Sequence, residues 1–304
     1  MRPTFTRWNR LLALGVMLGF VVPMLSASVA AQETGTPTAG ITEETWFEAT
    51  IPADALPSGG PVFLGLFRIV WDQGAGYRFQ ESAPGVGVNC VLSGQYAFRP
   101  DVDELILPAD ARAAPAAAPA GTETTLGPGD CALLHQDVHR DERNAGTGPV
   151  EFVAVVIIPE ETPPPAGAPE AIEFGPMGYI YGGHWSRTAN APTGPIRLTL
   201  RRLTLAPAAS AQEQTVVGDA LIAVTDRTLG LTPAGGEPLV ERGVSFTSDM
   251  PTAVPEGDET LLEAGDSAHI PDGTVFTLRN SGDAPTSWWF VTVMPLEQTA
   301  TPVT

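Results

Sequence analysis

Lysine is absent from all 304 residues, so the 16 basic side chains are all arginines. A Schiff-base or lysine-nucleophile mechanism is thereby excluded. Against those arginines stand 35 Asp and Glu residues, giving a formal net charge of −19 at pH 7. So acidic a surface repels nucleic acid and anionic lipid and favours solubility. No Gly-rich phosphate loop follows a strand and opens a helix, and there is no serine nucleophile elbow. Sustained helical periodicity is missing as well. Instead, 32 Gly and 30 Pro punctuate short apolar runs at turn spacing, the pattern of an all-β sandwich or barrel.

The longest apolar run opens the chain. Arg2, Arg7 and Arg10 precede residues 11–25, which are apolar, and Ser28-Val29-Ala30 or Val29-Ala30-Ala31 supplies the small residues of a cleavage site. Residues 1–31 therefore read as a signal peptide, and export is expected; an uncleaved anchor, and with it a membrane association, is the alternative. Three further stretches are poor in core-forming residues: a flexible spacer at 32–45, a Pro-rich linker at 160–177 and a polar tail at 298–304. Between them lie two segments of ordinary domain size, 46–159 and 178–297. An Ala/Pro-rich stretch at 108–121 reads as a long surface loop within the first.

Those two segments share a duplicated stretch. Residues 124–159 align with 260–295 at a constant offset of 136 without a gap. Thr124/Thr260, Gly129/Gly265, Asp130/Asp266, Arg143/Arg279, Asn144/Asn280 and Pro149/Pro285 are among the identical pairs. Each copy reads as strand, turn, strand, turn, strand. Phe152 to Ile158 and Trp288 to Met294 are apolar on both faces, as strands buried between two sheets would be. Along residues 196–205 the apolar positions change phase at Arg201-Arg202, which suggests a β-bulge.

The order within the repeat resembles the second conserved motif of the cupin superfamily: Gly, five residues, Pro-x-Gly, two residues, His, three residues, Asn. Gly265, Pro271, Gly273 and Asn280 keep those spacings, with Phe276 at the metal-ligand position. In the first copy Gly129 and Asn144 are kept and Arg140 stands at the ligand position, with His139 one residue away. The first cupin motif, His-x-His followed by a carboxylate, projects its imidazoles from one face of a strand. In the first half Glu81 and Ala83 stand where those histidines belong and Gly87 where the carboxylate belongs. In the second half the same positions fall on Gln214, Val216 and Ala220.

The resemblance implies two tandem cupin-like barrels, of the double-stranded β-helix or jelly-roll type, after the signal peptide. The second barrel has no plausible metal shell. The first keeps at most Glu81 beside Arg140, whose positive charge opposes a cation. No cofactor is expected, with a divalent transition metal held by His135 and His139, aided by Asp137 or Glu142, as the alternative. Asp101-Val102-Asp103-Glu104 reads as a solvated acidic turn rather than a calcium loop. His184 reads as a surface or interdomain residue packed on Trp185, and His269 as a rim or core residue. Cys90 and Cys131, the only cysteines, read either as a disulfide or as two buried thiols.

Two functions follow for test. One is an exported, metal-free, non-catalytic double barrel that binds a small molecule or a protein, with Glu81, His139 and Arg140 forming the polar end of the first cavity. The other is a metal-dependent enzyme of oxidoreductase or isomerase type with displaced ligands in the first half. The sequence identifies neither a ligand nor an oligomeric state.

Overall fold

The computed structural model describes residues 40–57, 60–79, 85–110, 113–135, 137–159, 177–179, 186–188, 192–243 and 251–296. The signal segment, the tail and His184 lie outside this set, as does Glu81.

In chain order the strands are β1 (Ile41–Ile51), β2 (Val62–Trp71), β3 (Gly76–Phe79), β4 (Val86–Ser93), β5 (Tyr96–Pro100), β6 (Glu104–Leu107), β7 (Ala116–Ala118), β8 (Thr124–Leu126), β9 (Cys131–His135), β10 (Arg140–Asn144) and β11 (Val150–Pro159). There follow β12 (Met177–Tyr179), β13 (Ser186–Thr188), β14 (Ile196–Leu205), β15 (Gln214–Thr215), β16 (Asp219–Val224), β17 (Thr228–Gly235), β18 (Leu239–Glu241), β19 (Thr252–Ala253), β20 (Thr260–Glu263), β21 (Ser267–Ile270), β22 (Val275–Arg279) and β23 (Thr286–Pro295). The helical content of the described residues is one 3-10 turn, Ala53–Ala55. None of their helices is long and apolar enough to cross a membrane.

The strands form two copies of one plan. A large sheet, β12-β2-β11-β4-β9-β6-β7 with β13 also on β2, accompanies a small one, β3-β10-β5-β8. In the second copy these are β1-β14-β23-β16-β21-β18-β19 and β15-β22-β17-β20. The chain is thus an all-β protein of two cupin-like, jelly-roll barrels.

Each copy's opening segment completes the other copy's large sheet. Ile41 lies opposite Leu205 and Ile51 opposite Ile196, while Met177 lies opposite Trp71 and Thr188 opposite Val62. This corrects two sequence expectations: 41–45 is strand rather than spacer, and residue 177 is strand rather than linker. The first strand escaped notice because it is an edge strand. Of its 11 residues only Phe47 and Ile51 are buried, so Thr42, Glu43, Glu44, Thr45, Glu48 and Thr50 mask the apolar signal. The expected surface loop at 108–121 likewise contains β7, paired to β6 with Ala116 opposite Ile106.

Alternation along the strands builds three cores. Phe152 and Ala154 point into the first barrel beside Trp71, Tyr96, Phe98 and Leu126. Val153, Val155 and Ile157 point the other way, where they join Leu198, Leu200, Val291 and Val293 between the two large sheets. Trp288 fills the second barrel with Leu229, Leu231, Phe276 and Leu278. Each fully buried side chain of this size contributes about 1.5–3 kcal/mol relative to exposure, and burial on both faces accounts for the apolar runs 152–158 of β11 and 288–294 of β23, the latter broken by Thr292 alone. It also accounts for the phase change in β14. Ile196, Leu198 and Leu200 face the layer between the halves, whereas Leu203 and Leu205 face the barrel interior. Register with β23 is unbroken, and the bulge lies in β1, between Thr45 and Phe47.

Cys90 and Cys131 form a disulfide. They are direct partners across β4 and β9, and they sit in the layer between the halves rather than inside a barrel.

The motif residues do the same structural work in both copies. The Asn144 amide donates to the carbonyls of Trp71, Asp72 and Gly148 and accepts from the Gly146 N–H. Asn280 repeats this with Leu205, Ala206, Ala284 and Gly282. Asp130 accepts from the N–H groups of Gly127 and Ala109, and Asp266 from those of Glu263 and Gly243. Just before each carboxylate, Gly129 and Gly265 take φ of 88° and 94°, a left-handed conformation that only glycine adopts without steric cost. Arg143 grips Glu123 through two N–H donors, and Arg279 grips Glu259 in the same way. Pro271 and Gly273 form the turn after β21, where the Gly273 N–H donates to the Val216 carbonyl.

Candidate functional site

Against this background of repeated structure, the two barrels differ in what fills them. On β10 the burial pattern alternates, with Arg140, Glu142 and Asn144 turned inward and buried. The Arg140 guanidinium bonds the Glu142 carboxylate and donates to the His135 carbonyl at 2.8 Å. Both charged side chains of that pair are only 3% exposed. Tyr96 is wholly buried nearby and accepts from the Asn89 amide at 3.0 Å. Burial, then the charge of Glu142, holds its hydroxyl well above the usual tyrosine range. Trp71, 5.9 Å away, and Phe152, 5.0 Å away, form an aromatic floor under Tyr96.

Toward the rim the chain of polar groups continues to Glu104, 2% exposed. Its carboxylate accepts from the His135 N–H and bonds Nδ1 of the same residue at 2.8 Å. That bond, opposed by burial, raises the His135 pKa. Glu104 is therefore no part of a solvated turn, although Asp101, Val102 and Asp103 are exposed as expected.

Pairing register gives the counterparts in the second barrel. Glu142 and Arg140 lie opposite Phe98 and Pro100, and Leu278 and Phe276 lie opposite Leu231 and Pro233. Tyr96 lies opposite Leu126 and Leu229 opposite Leu262. Asn89 lies opposite Ala154 and Ile222 opposite Phe290. Glu104 precedes Leu105 as Pro238 precedes Leu239. Asn89, Tyr96, Glu104, Arg140 and Glu142 thus correspond to Ile222, Leu229, Pro238, Phe276 and Leu278. Each of these five buried polar groups is apolar in the second barrel, whereas the buried Asn144 is kept there as Asn280.

Beside Arg140, on the outward face of the small sheet, lies an open hollow of about 560 Å³ lined by Arg78, Arg99, Asp101, His139, Arg140 and Asp141, among others. Arg78 on β3 and Arg99 on β5 flank Asp141 on β10 as direct cross-strand neighbours, and both bond its carboxylate. Against the effect of burial, those two bonds hold the Asp141 pKa below its usual value. In the second barrel Thr232 and Thr277 occupy the places of Arg99 and Asp141, and Glu213 precedes Gln214 as Arg78 precedes Phe79.

Of the sequence-derived candidates, His139 and Arg140 meet at this hollow. Gln214 lies opposite Phe276, as Phe79 lies opposite Arg140, so Gln214 corresponds to Phe79 and not to Glu81. The halves differ in length between these strands, and that difference falls beyond Phe79. Val216, Ala220 and Phe276 are packed in the apolar core of the second barrel. His269 is buried and bonds Asp219 at 2.9 Å. Asn89, Tyr96, Glu104, Arg78, Arg99 and Asp141 escaped the sequence reading; a charged residue facing inward in an apolar alternation was the available signal for Glu104 and Glu142.

The two positions that the sequence aligned with a metal-binding histidine carry a guanidinium, Arg140, in one barrel and a phenyl ring, Phe276, in the other. His135 is engaged by Glu104, and Glu142 by Arg140. Among the described residues no group of three or more His, Cys, Asp or Glu is placed to hold a metal ion.

No family model matches the chain, and no curated protein matches it by sequence. Solved structures with a similar course include the oxalate decarboxylase of Lactobacillus farciminis in a formate complex, at 12% identity over 87% of this chain and 88% of that one, with a TM-score of 0.45. The cupin 2 conserved barrel domain protein from Leptotrichia buccalis is similar at 11% identity over 84% and 97%, with a TM-score of 0.36. Procruciferin, the 11S globulin from Brassica napus, is similar at 11% identity over 87% of each chain, with a TM-score of 0.41.

Proposed function

We propose that this double cupin-like barrel is an exported, metal-free, non-catalytic protein that binds a small molecule at the polar end of its first barrel. One observation carries the reading. Where the two halves need the same structure they use the same residues, yet the first interior alone spends five buried positions on polar groups. Taking charges such as Arg140 and Glu142 out of water costs several kcal/mol per ion, only partly offset by pairing, and apolar residues of similar volume do as well or better. The second barrel shows that this fold accommodates the apolar solution. Retention of the polar chain in one copy, beside an open hollow lined by charged side chains, supports selection for binding.

A thermal-shift screen of the mature protein tests this. Compounds that raise the melting temperature of the wild type should fail to do so for an R140F/E142L variant, which copies the second barrel. A broad library of charged, neutral and apolar compounds that stabilises neither protein, or stabilises both equally, would overturn the reading.

A further inference from the structure

We infer that the hollow takes a small carboxylic acid that also carries a hydrogen-bond donor, a hydroxy or amino acid; this rests on the binding reading above and names its ligand class. In a chain of net charge −19, the hollow concentrates three arginines. Arg78 and Arg99 share the single carboxylate of Asp141, and Asp101 is the one other carboxylate of the hollow. Each guanidinium has five N–H donors in a fork that matches a carboxylate. Their side chains are 50% and 52% exposed, so the donors not directed at Asp141 remain open to a ligand.

The hollow also contains an acceptor. Asp101 is exposed, and its carboxylate takes part in no hydrogen bond or ion pair among the described residues; its backbone N–H is fixed by the His139 carbonyl at 3.1 Å. A ligand carboxylate on the Arg78 and Arg99 forks can therefore be joined by a hydroxyl or ammonium that donates to Asp101. Phosphate fits less well, because its second negative charge sits on the same phosphorus as the oxygens on the forks and cannot turn away from Asp101 and Asp141, whereas the second carboxylate of a diacid can point out to solvent. The second barrel, with Thr232 and Thr277 in place of Arg99 and Asp141, lacks the fork.

Calorimetric titration of the mature protein with L-malate, succinate and inorganic phosphate tests the assignment. Malate is expected to bind more tightly than succinate, which has the same carboxylates without the hydroxyl, and more tightly than phosphate. R78A/R99A should weaken malate binding at least tenfold, and D101A should lower malate to the level of succinate while leaving succinate unchanged. Both variants alter exposed side chains, and melting curves will report whether they remain folded. Malate binding that R78A/R99A leaves intact, or phosphate binding more tightly than malate, would overturn the inference. If none of the three binds but a neutral compound from the screen does, and R140F/E142L abolishes it, the ligand class fails and the binding function stands. If no compound of either experiment binds, both fail.

Discussion

Replacing Glu142 with leucine, its counterpart in the second barrel, would leave the Arg140 guanidinium buried without its carboxylate. Both side chains are 3% exposed, so water does not replace the lost partner. Breaking a buried ion pair from one side typically costs about 3–5 kcal/mol. The His135 carbonyl still accepts from Arg140, and Glu104 adds a favourable charge, which places the expected loss at about 3 kcal/mol, the lower end of that range. For a domain of this size that is a fall in melting temperature of roughly 6–12 °C. Adding Arg140→Phe removes the orphaned charge, and R140F/E142L should recover most of the loss or exceed the wild type by about 1–4 kcal/mol. Urea unfolding followed by tryptophan fluorescence, analysed as a double-mutant cycle, measures both values. A loss below about 1 kcal/mol for E142L, or a double variant no more stable than E142L, would refute the claim that the pair is held against the interest of stability.

Three further outcomes are expected. Removing the Cys90–Cys131 disulfide, which closes a sequence separation of 41, should cost about 4 kcal/mol by loop entropy; C90A/C131A unfolding at the same urea concentration as the wild type would contradict this. The His135 pKa is raised, first by its bond to Glu104, with Asp137 adding to the rise and burial and Arg140 opposing it. Its stabilising contribution is therefore complete below the unfolded value of about 6.5 and is lost as pH rises through the higher folded value; the stability gap between wild type and H135Q should shrink from acid to alkaline pH, and a gap that grows would refute the pairing. Arg227 holds φ of 58° where the first half has Gly94, so R227G should stabilise by about 0.5–1 kcal/mol in thermal melts, the relief of left-handed strain less the entropy of glycine; a destabilised variant would refute that.

Much of the fold is legible in the sequence because the repeat has a fixed offset and its turns use Gly, Asp and Asn, whose local hydrogen bonds are short-range. Val216, Ala220 and Phe276 pack in the apolar core of the second barrel, as their side chains suggest. What the sequence hides is long-range. Arg78 and Arg99 meet Asp141 across separations of 63 and 42 residues, a matter of strand register that periodicity does not reveal. The exchange of β1 is hidden by its polar edge-strand pattern. Whether Cys90 and Cys131 join depended on two strands being neighbours with those residues directly opposed. Glu104 was read with its acidic neighbours as solvated, although strand alternation turns it inward.

Whether the polar end of the first barrel acts through side chains alone or through a metal is decided most directly by metal content. Elemental analysis of the mature protein, purified without chelator or affinity tag, should find Zn, Mn, Fe, Cu and Ni far below one equivalent. A near-stoichiometric transition metal that disappears in H135A or H139A would contradict the account and return the chain to the metal-dependent enzymes.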